Sequence, residues 1–460
     1  MAKFSALFSS LKQPKPLPEI TDAKTIDNDY KHWRIRIFYS MYIGYAVYYV
    51  TRKSFTFAIP SLAVDLNMDK ASLGWIGSIM AISYGLSKFI SGMLSDNANA
   101  RYFMAIGLIL TGVLNIIFGT ASSFWIFAIC WMLNGWFQGF GWPPCAKFLT
   151  YWYSQSERGR WWGAWNTSHN VGGALVPLLI AFCVQYWGWR SAMHVAGGLA
   201  IFTGFLLINR LRDTPATLGL PPIEKYKNEE LPITQIKENT EKTITVKEIF
   251  MKYILKNKYI WILAGAYFFI YIIRVAVNDW TMPYLMEQKG YTSSMDAGKV
   301  IFAFEIGGVF GSLAAGWLSD KLFKGGRGPV NFLYTVFVTI LISIFWQMSV
   351  SNLYLDILIV GALGFFIFGP QMLIGIAAVE LSHKKAAATS TGFIGWIGYL
   401  GAFVAGGPIG IIIDKFGWDS FFIVTIACGI FACLFLSFLY AARSYNPNTE
   451  TLSLKEKKIA

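Results

Sequence analysis

Two arginines lie inside hydrophobic stretches, and each closes the same pattern: Tyr45-x3-Tyr49-x2-Arg52 in the first half and Tyr267-x3-Tyr271-x2-Arg274 in the second. Arginine keeps its proton in a protein, and a charge at bilayer depth is costly, so it persists there only against a partner or a water-filled path. Its planar fork matches two phosphate oxygens. By helical spacing Tyr45, Tyr49, Arg52 and Thr56 share one face, and Tyr267, Tyr271, Arg274 and Asn278 share another. Two such faces point to a clamp for a phosphate dianion, with hydroxyls beside each fixed charge. The competing reading is a pair of structural ion pairs, such as Arg274 with Asp279 or Glu305.

Other polar groups interrupt apolar segments in ways that fit the same site. Asn166, His169, Asn170 and Gly173 fall at i, i+3, i+4 and i+7 and form a polar stripe. His169 is its titratable member, suited either to sensing the charge of a nearby phosphate or to interhelical packing. Lys88 follows Tyr84 by one turn and is expected to add a third cation or to snorkel. Lys53, about 100° round the helix from Arg52, is expected to pair with an acid, and Lys147 to anchor at a membrane interface. The tyrosines with Asn166 and Asn170 could hold a sugar, and Trp165 or Trp396 could stack on it. Asp96 and Asp320 close two Gly-x-Leu-Ser-Asp segments, each followed by an arginine (Arg101, Arg327), and are expected to make gating contacts or plain structural turns. No nucleophile-and-base constellation is present, so an enzyme is not expected, nor is a metal or a cofactor. The five cysteines lack metal-ligand or redox spacing and read as packing residues. Gly135-x3-Gly139 and Gly307-x3-Gly311 read as close helix contacts.

The elements that must position these residues follow from composition. The chain has 460 residues, 55% hydrophobic and 14% charged, with a mean hydropathy of +0.46. That excludes an ordinary soluble globule and points to a polytopic helical membrane protein. Twelve apolar stretches lie near 35–61, 72–95, 102–120, 124–149, 161–185, 190–209, 259–284, 296–319, 330–349, 353–381, 388–413 and 418–441. With the N-terminus in the cytoplasm, 29 of the 39 Lys and Arg fall in tails and cytoplasmic loops, 5 in outer loops and 5 within helices. The positive-inside rule thus puts both termini in the cytoplasm, and the net charge of +13 is a topology signal that calls for no nucleic-acid partner. No signal peptide precedes the first span, whose own insertion is expected to start the topology.

The predicted organisation is a cytoplasmic N-terminal segment (1–34), a six-helix bundle (35–209), a polar cytoplasmic linker (210–258), a second bundle (259–441) and a cytoplasmic tail (442–460). Three matches imply duplication. Arg52 and Arg274 stand 222 residues apart, Gly92-Met-Leu-Ser-Asp96 and Gly316-Trp-Leu-Ser-Asp320 stand 224 apart, and Gly188-Trp-Arg-Ser191 and Gly417-Trp-Asp-Ser420 stand 229 apart. Parallel six-helix repeats of this kind place a site between them near the midplane. Arg52 and Arg274 each lie 16 residues beyond a charged helix end, Arg36 and Lys258. At about 1.5 Å per residue that is ~24 Å in, too deep for easy snorkelling.

The stretches Tyr49-Val-Thr-Arg52-Lys53-Ser-Phe, Ser87-Lys88-Phe89, Trp165-Asn166-Thr-Ser-His169-Asn170, Gly369-Pro370-Gln371-Met372-Leu373-Ile374-Gly375 and Glu380-Leu-Ser-His383-Lys384-Lys385-Ala386-Ala387 resemble the organophosphate:phosphate antiporter family of the major facilitator superfamily, over nearly the whole chain. The pattern is more similar to the hexose-phosphate branch, with its sensor-like relatives, than to the glycerol-phosphate branch. The resemblance implies an all-α membrane protein of twelve transmembrane helices in two pseudo-symmetric bundles. It further implies Arg52 and Arg274 as the phosphate-binding pair, His169 as the fifth-helix histidine and Lys88 as the second-helix lysine. The expected ligands are a sugar phosphate, above all glucose 6-phosphate, and inorganic phosphate, exchanged across a bacterial inner membrane. The sensor-like relatives imply an alternative, a receptor for external hexose phosphate signalling to a membrane histidine kinase. A proton-coupled symporter for another organic anion is a third possibility.

Overall fold

A computed structural model describes residues 14–96, 98–229, 254–323, 326–348, 351–381 and 387–439. Helices account for nearly all of them. In the first half these are α1 (Ala23–Leu66), α2 (Lys70–Asp96), α3 (Ala100–Thr120), α4 (Phe124–Gln138), α5 (Trp142–Trp152) and α6 (Gln155–Arg210). In the second half they are α7 (Lys258–Glu287), α8 (Ser294–Lys321), α9 (Arg327–Gln347), α10 (Leu353–Glu380), α11 (Ala387–Ala405), α12 (Gly407–Phe416) and α13 (Trp418–Ser437).

These map onto the twelve expected spans once the helix breaks are understood. The stretch 124–149 is α4 followed by α5, interrupted at Gly139–Gly141 and restarted where Pro143 and Pro144 occupy the first helical turn. The stretch 388–413 breaks likewise at Gly406, just before Pro408. The fifth and sixth spans run together as α6, separated by one residue, Gly188, at φ +80°. Its repeat counterpart, Gly417, sits at φ +78° between α12 and α13. A Cβ is strained in that region, which accounts for glycine ahead of tryptophan at both junctions. Among the described residues, eight helical stretches, one of them α11 with α12, are long and apolar enough to cross a membrane on their own sequence. One of them carries both spans of α6, while α1, α2 and the α4–α5 pair complete the twelve despite charges or interruptions.

Hydropathy misplaces one helix start. Asp22 caps α1, its Oδ2 accepting from the Thr25 N–H at 3.0 Å, so the helix begins at Ala23 rather than near residue 35. The polar first turns of α1 lie against residues 211–229. The Leu17 and Ile20 amides donate to Ala216 O and Gly219 O at 2.9 and 2.7 Å, the Tyr30 hydroxyl donates to Pro221 O, and Tyr30 stacks on Tyr226 at 4.3 Å.

Two compact units result. The first comprises the helices through Arg210 together with Leu285–Phe302, and the second comprises α7 up to Tyr284 together with the chain from Ala303. The first is organised around Tyr48, Met104, Cys145, Trp152 and Trp165, and the second includes a cluster of Ala315, Val330, Tyr334 and Leu373. Large side chains such as Phe202, Trp187, Leu313 and Ile430 are exposed, as a lipid-facing surface requires. All five cysteines are unbridged, four of them buried.

The glycine pairs act as close contacts. A Cβ on Gly135 would meet Met80 O at 2.7 Å, and Cβ atoms on Gly307 and Gly311 would overlap the Gly361 and Phe365 carbonyls. Lys147 does not anchor at an interface. It is buried against Asp213, Nζ to Oδ1 3.1 Å, and also donates to Ala98 O at 2.8 Å, while Asp213 Oδ1 accepts the Ala100 N–H at 2.7 Å. The apolar surroundings of Lys147 concealed a partner 66 residues away in sequence.

Candidate functional site

Arg52 projects from α1 into a frame supplied by three helices. Its guanidinium carbon lies 4.5 Å from the Tyr49 ring and 4.3 Å from the Tyr84 ring of α2. Its Nε donates to Gln138 Oε1 at the end of α4, at 3.2 Å. Gln138 is itself fixed, because its Nε2 donates to Thr51 Oγ1 at 3.0 Å, and Thr51 Oγ1 reaches Thr111 Oγ1 at 3.2 Å. The Thr51 carbonyl accepts from Asn134 and Asn115 at 3.0 and 3.2 Å, and Asn115 Oδ1 accepts from Ser54 at 2.6 Å. Thr51, Gln138, Asn134, Asn115 and Ser54 are all essentially inaccessible. A connected polar network in so apolar a bundle is strong and rigid, and here it sets the plane of one guanidinium. Gln138 was not among the expected site residues. Its signal was Asn134 and Gln138 at i and i+4 on an otherwise apolar helix.

The fifth-span stripe reaches this group through Tyr49. The His169 ring centroid is 5.8 Å from that of Tyr49, and Gly172 allows the approach, since a Cβ there would meet Ala46 O at 2.6 Å and Tyr49 Cβ at 3.0 Å. Asn170 is buried with its Oδ1 unbonded among the described residues, while Asn166 is exposed. Tyr45 packs at 4.9 Å on Trp165, which is fully buried, so Trp165 is a core residue and not a stacking platform for a sugar. Trp396 is 46% exposed. Lys88 is exposed beside Trp142, with Nζ 5.7 Å from the ring, one turn along α2 from Tyr84.

The second unit repeats the tyrosine frame with different chemistry behind the arginine. Arg274 of α7 lies 5.9 Å from the Tyr271 ring and 4.7 Å over Phe368 of α10. Tyr267 and Tyr271 pack at 4.7 Å, Tyr271 meets Tyr399 of α11 at 5.7 Å, and the Tyr267 hydroxyl donates to Gln371 O at 3.2 Å. Gly398 makes room, as Gly172 does in the first unit: a Cβ there would meet Tyr267 Cδ1 at 2.9 Å. Gln138 and Phe368 each precede a glycine, Gly139 and Gly369, in the fourth span of their half. Both arginines are thus faced by aromatic rings, and behind Arg52 stands the Gln138 amide where Phe368 lies against Arg274. Glu305 is buried and accepts from Asn278 Nδ2 at 3.3 Å.

The side chains of Asp96 and Asp320 lie outside the described residues, as do Ser382–Ala386. The arginines that follow the two aspartates are both engaged. Arg101 Nε donates to Ile208 O at 2.5 Å, and Arg327 makes a forked contact with Glu380, Nη2 to Oε1 3.0 Å, and donates to Ser319 Oγ at 3.0 Å.

Residues 41–406 match the family model described as Major Facilitator Superfamily. The "Probable hexose phosphate transport protein" of Chlamydia pneumoniae is 54% identical over 429 residues, covering 92% of this chain and 94% of the relative. The "Membrane sensor protein UhpC" of Escherichia coli (strain K12) is 46% identical, covering 94% of this chain and 98% of the relative. The glycerol-3-phosphate transporter of Bacillus subtilis (strain 168) is 41% identical, covering 92% and 96%. Among solved structures, a bacterial homologue of the human lysosomal transporter Spinster matches with a TM-score of 0.72 at 16% identity, over 90% of this chain and 99% of that one, a likeness of fold alone.

Proposed function

The chain belongs to the Major Facilitator Superfamily and, within it, to the organophosphate:phosphate antiporter family, and from that membership we propose that it exchanges a hexose phosphate for inorganic phosphate across a bacterial inner membrane. Membership puts it among multi-pass transport proteins and not among enzymes. The observation that carries the finer reading is the framed pair of arginines, Arg52 on Gln138, Tyr49 and Tyr84, and Arg274 on Phe368 and Tyr271.

A guanidinium offers two edges to a bidentate acceptor. Gln138 uses Nε of Arg52, so a phosphate engages that residue through the Nη1/Nη2 edge. Arg274, beside the Phe368 and Tyr271 rings, is the second phosphate-binding arginine in this proposal. Two unit charges brought to ~6 Å at an effective dielectric of about 20 repel by roughly 3 kcal/mol. Closure around an empty site is thereby disfavoured, and a bridging dianion reverses the sign. This is a physical basis for obligatory exchange by alternating access. Lys88 beyond Tyr84 adds positive charge, while His169 beside Tyr49, the tyrosine hydroxyls and Asn170 Oδ1 supply hydrogen-bonding partners for the substrate. Glucose 6-phosphate is the proposed substrate, a choice supported by higher identity to the hexose phosphate relative than to the glycerol-3-phosphate one.

The test is uptake of labelled phosphate into proteoliposomes preloaded with phosphate, glucose 6-phosphate, glycerol 3-phosphate or buffer. Uptake should require a loaded counter-substrate and be fastest with phosphate or glucose 6-phosphate inside. Equal uptake into empty vesicles would rule out exchange. The sensor relative at 46% identity favours a second reading, a receptor with the same site that signals to a histidine kinase, and glucose 6-phosphate binding without flux would select it.

A further inference from the structure

Away from the arginine pair, the C-terminal end of α6 meets α1 and the start of α3. The last carbonyls of α6 have no partner within the helix, and three arginines converge on them. Arg36 Nη2 donates to Asn209 Oδ1 at 3.1 Å, Arg212 Nη1 donates to Asn209 O and Leu211 O at 3.0 and 2.7 Å, and Arg101 Nε donates to Ile208 O. A fourth, Arg210, donates to the Tyr39 hydroxyl at 3.0 Å. Arg36 and Arg212 also lie over one ring, 4.9 and 4.6 Å from Trp33.

Helix capping does not account for so much charge. A helix C-terminus carries about half a negative charge, against four guanidinium groups here. None of the four has a carboxylate partner among the described residues, and the nearby Asp213 is engaged by Lys147 and the Ala100 N–H. The Nε of Arg36 is buried without an acceptor. Burial, and then the charges of Arg101 and Arg36, lower the pKa of Arg212 from its ordinary value.

The neighbouring surface says which anion. On α6 Phe202 and Phe205 are 68% and 61% exposed, and on α1 Ile35 and Ile43 are 64% and 43% exposed. Their helical spacing makes two apolar stripes that end at the cluster. We propose that Trp33, Arg36, Arg101 and Arg212 bind the headgroup of an anionic phospholipid, its acyl chains lying along those stripes. Basic pockets between transmembrane helices suit such headgroups, and the site is separate from the transported anion's.

The test is lipid retention by the purified full-length protein, read by native mass spectrometry in mixtures of phosphatidylglycerol and phosphatidylcholine of matched chains. The wild type should retain phosphatidylglycerol selectively. Each arginine near a headgroup contributes a factor of about five in affinity, so Arg36→Gln with Arg212→Gln should weaken retention roughly 25-fold, and Arg212→Gln alone about fivefold. The double lysine replacement should retain most of the binding. No preference for phosphatidylglycerol in the wild type would overturn the proposal whatever the variants do. So would undiminished retention in a folded glutamine variant, or displacement of the lipid by excess inorganic phosphate, which would mark a soluble-anion site.

Discussion

Arg52 and Arg274 occupy matching positions in a duplicated sequence, and each is framed by aromatic rings. Both guanidinium groups lie over aromatic rings, and Arg52 adds a hydrogen bond from Nε to Gln138, while Phe368 faces Arg274. Replacing either arginine with lysine exchanges a fork for a point charge and removes one charge-assisted bond, a loss of about 1.5–3 kcal/mol. Arg52→Lys and Arg274→Lys should each lower kcat/KM for exchange by roughly 10- to 100-fold at matched membrane expression, and near-normal exchange in both would sink the clamp. Gln138→Leu, which keeps the bulk and removes the acceptor, should raise KM for phosphate by about fivefold or more. Because Arg52 stays in place, Gln138→Leu should be milder than Arg52→Lys. An unchanged KM would reduce Gln138 to a packing residue. The arginines were legible from their cost in an apolar stretch. Gln138 was harder to find, since an amide 86 residues from Arg52 announces no particular partner.

At the scale of elements, hydropathy found the spans and missed what joins them. It began α1 too late because Asp22 and the polar first turns are stabilised by a cap and by residues 211–229, neither of which raises hydrophobicity. It took α4–α5 as one stretch, though glycines and prolines at 139–144 already carried the interruption. The Lys147–Asp213 pair fastens the chain leaving α6 to the turn before α3. Both side chains are nearly inaccessible, so removing one partner leaves an uncompensated buried charge. Lys147→Met or Asp213→Leu should cost about 3–5 kcal/mol, visible as a marked fall in the thermal unfolding midpoint of the detergent-solubilised protein. The double replacement should recover much of that loss. Equal midpoints for the wild type and both single variants would show that the pair contributes no stability.

At the scale of the whole molecule, the proposed transporter and the proposed receptor share one candidate site and differ in the use made of it. Both readings predict that glucose 6-phosphate binds and that Arg52→Lys weakens it. Only the transporter predicts that glucose 6-phosphate loaded inside vesicles accelerates phosphate entry, so binding and counterflow measured on the same preparation separate them. The residue sequence alone determined the membrane class, the twelve spans, the duplication and the two arginines, because each rests on apolar length, on periodicity or on the cost of burying a charge. Tertiary structure decided what those local signals cannot carry. It placed Gln138 behind Arg52 and Phe368 behind Arg274, made Trp165 core, and joined Lys147 to Asp213. It also gathered four arginines around the end of α6. Each of these is a meeting of residues distant in sequence, and only the packing of helices against one another selects which polar groups meet.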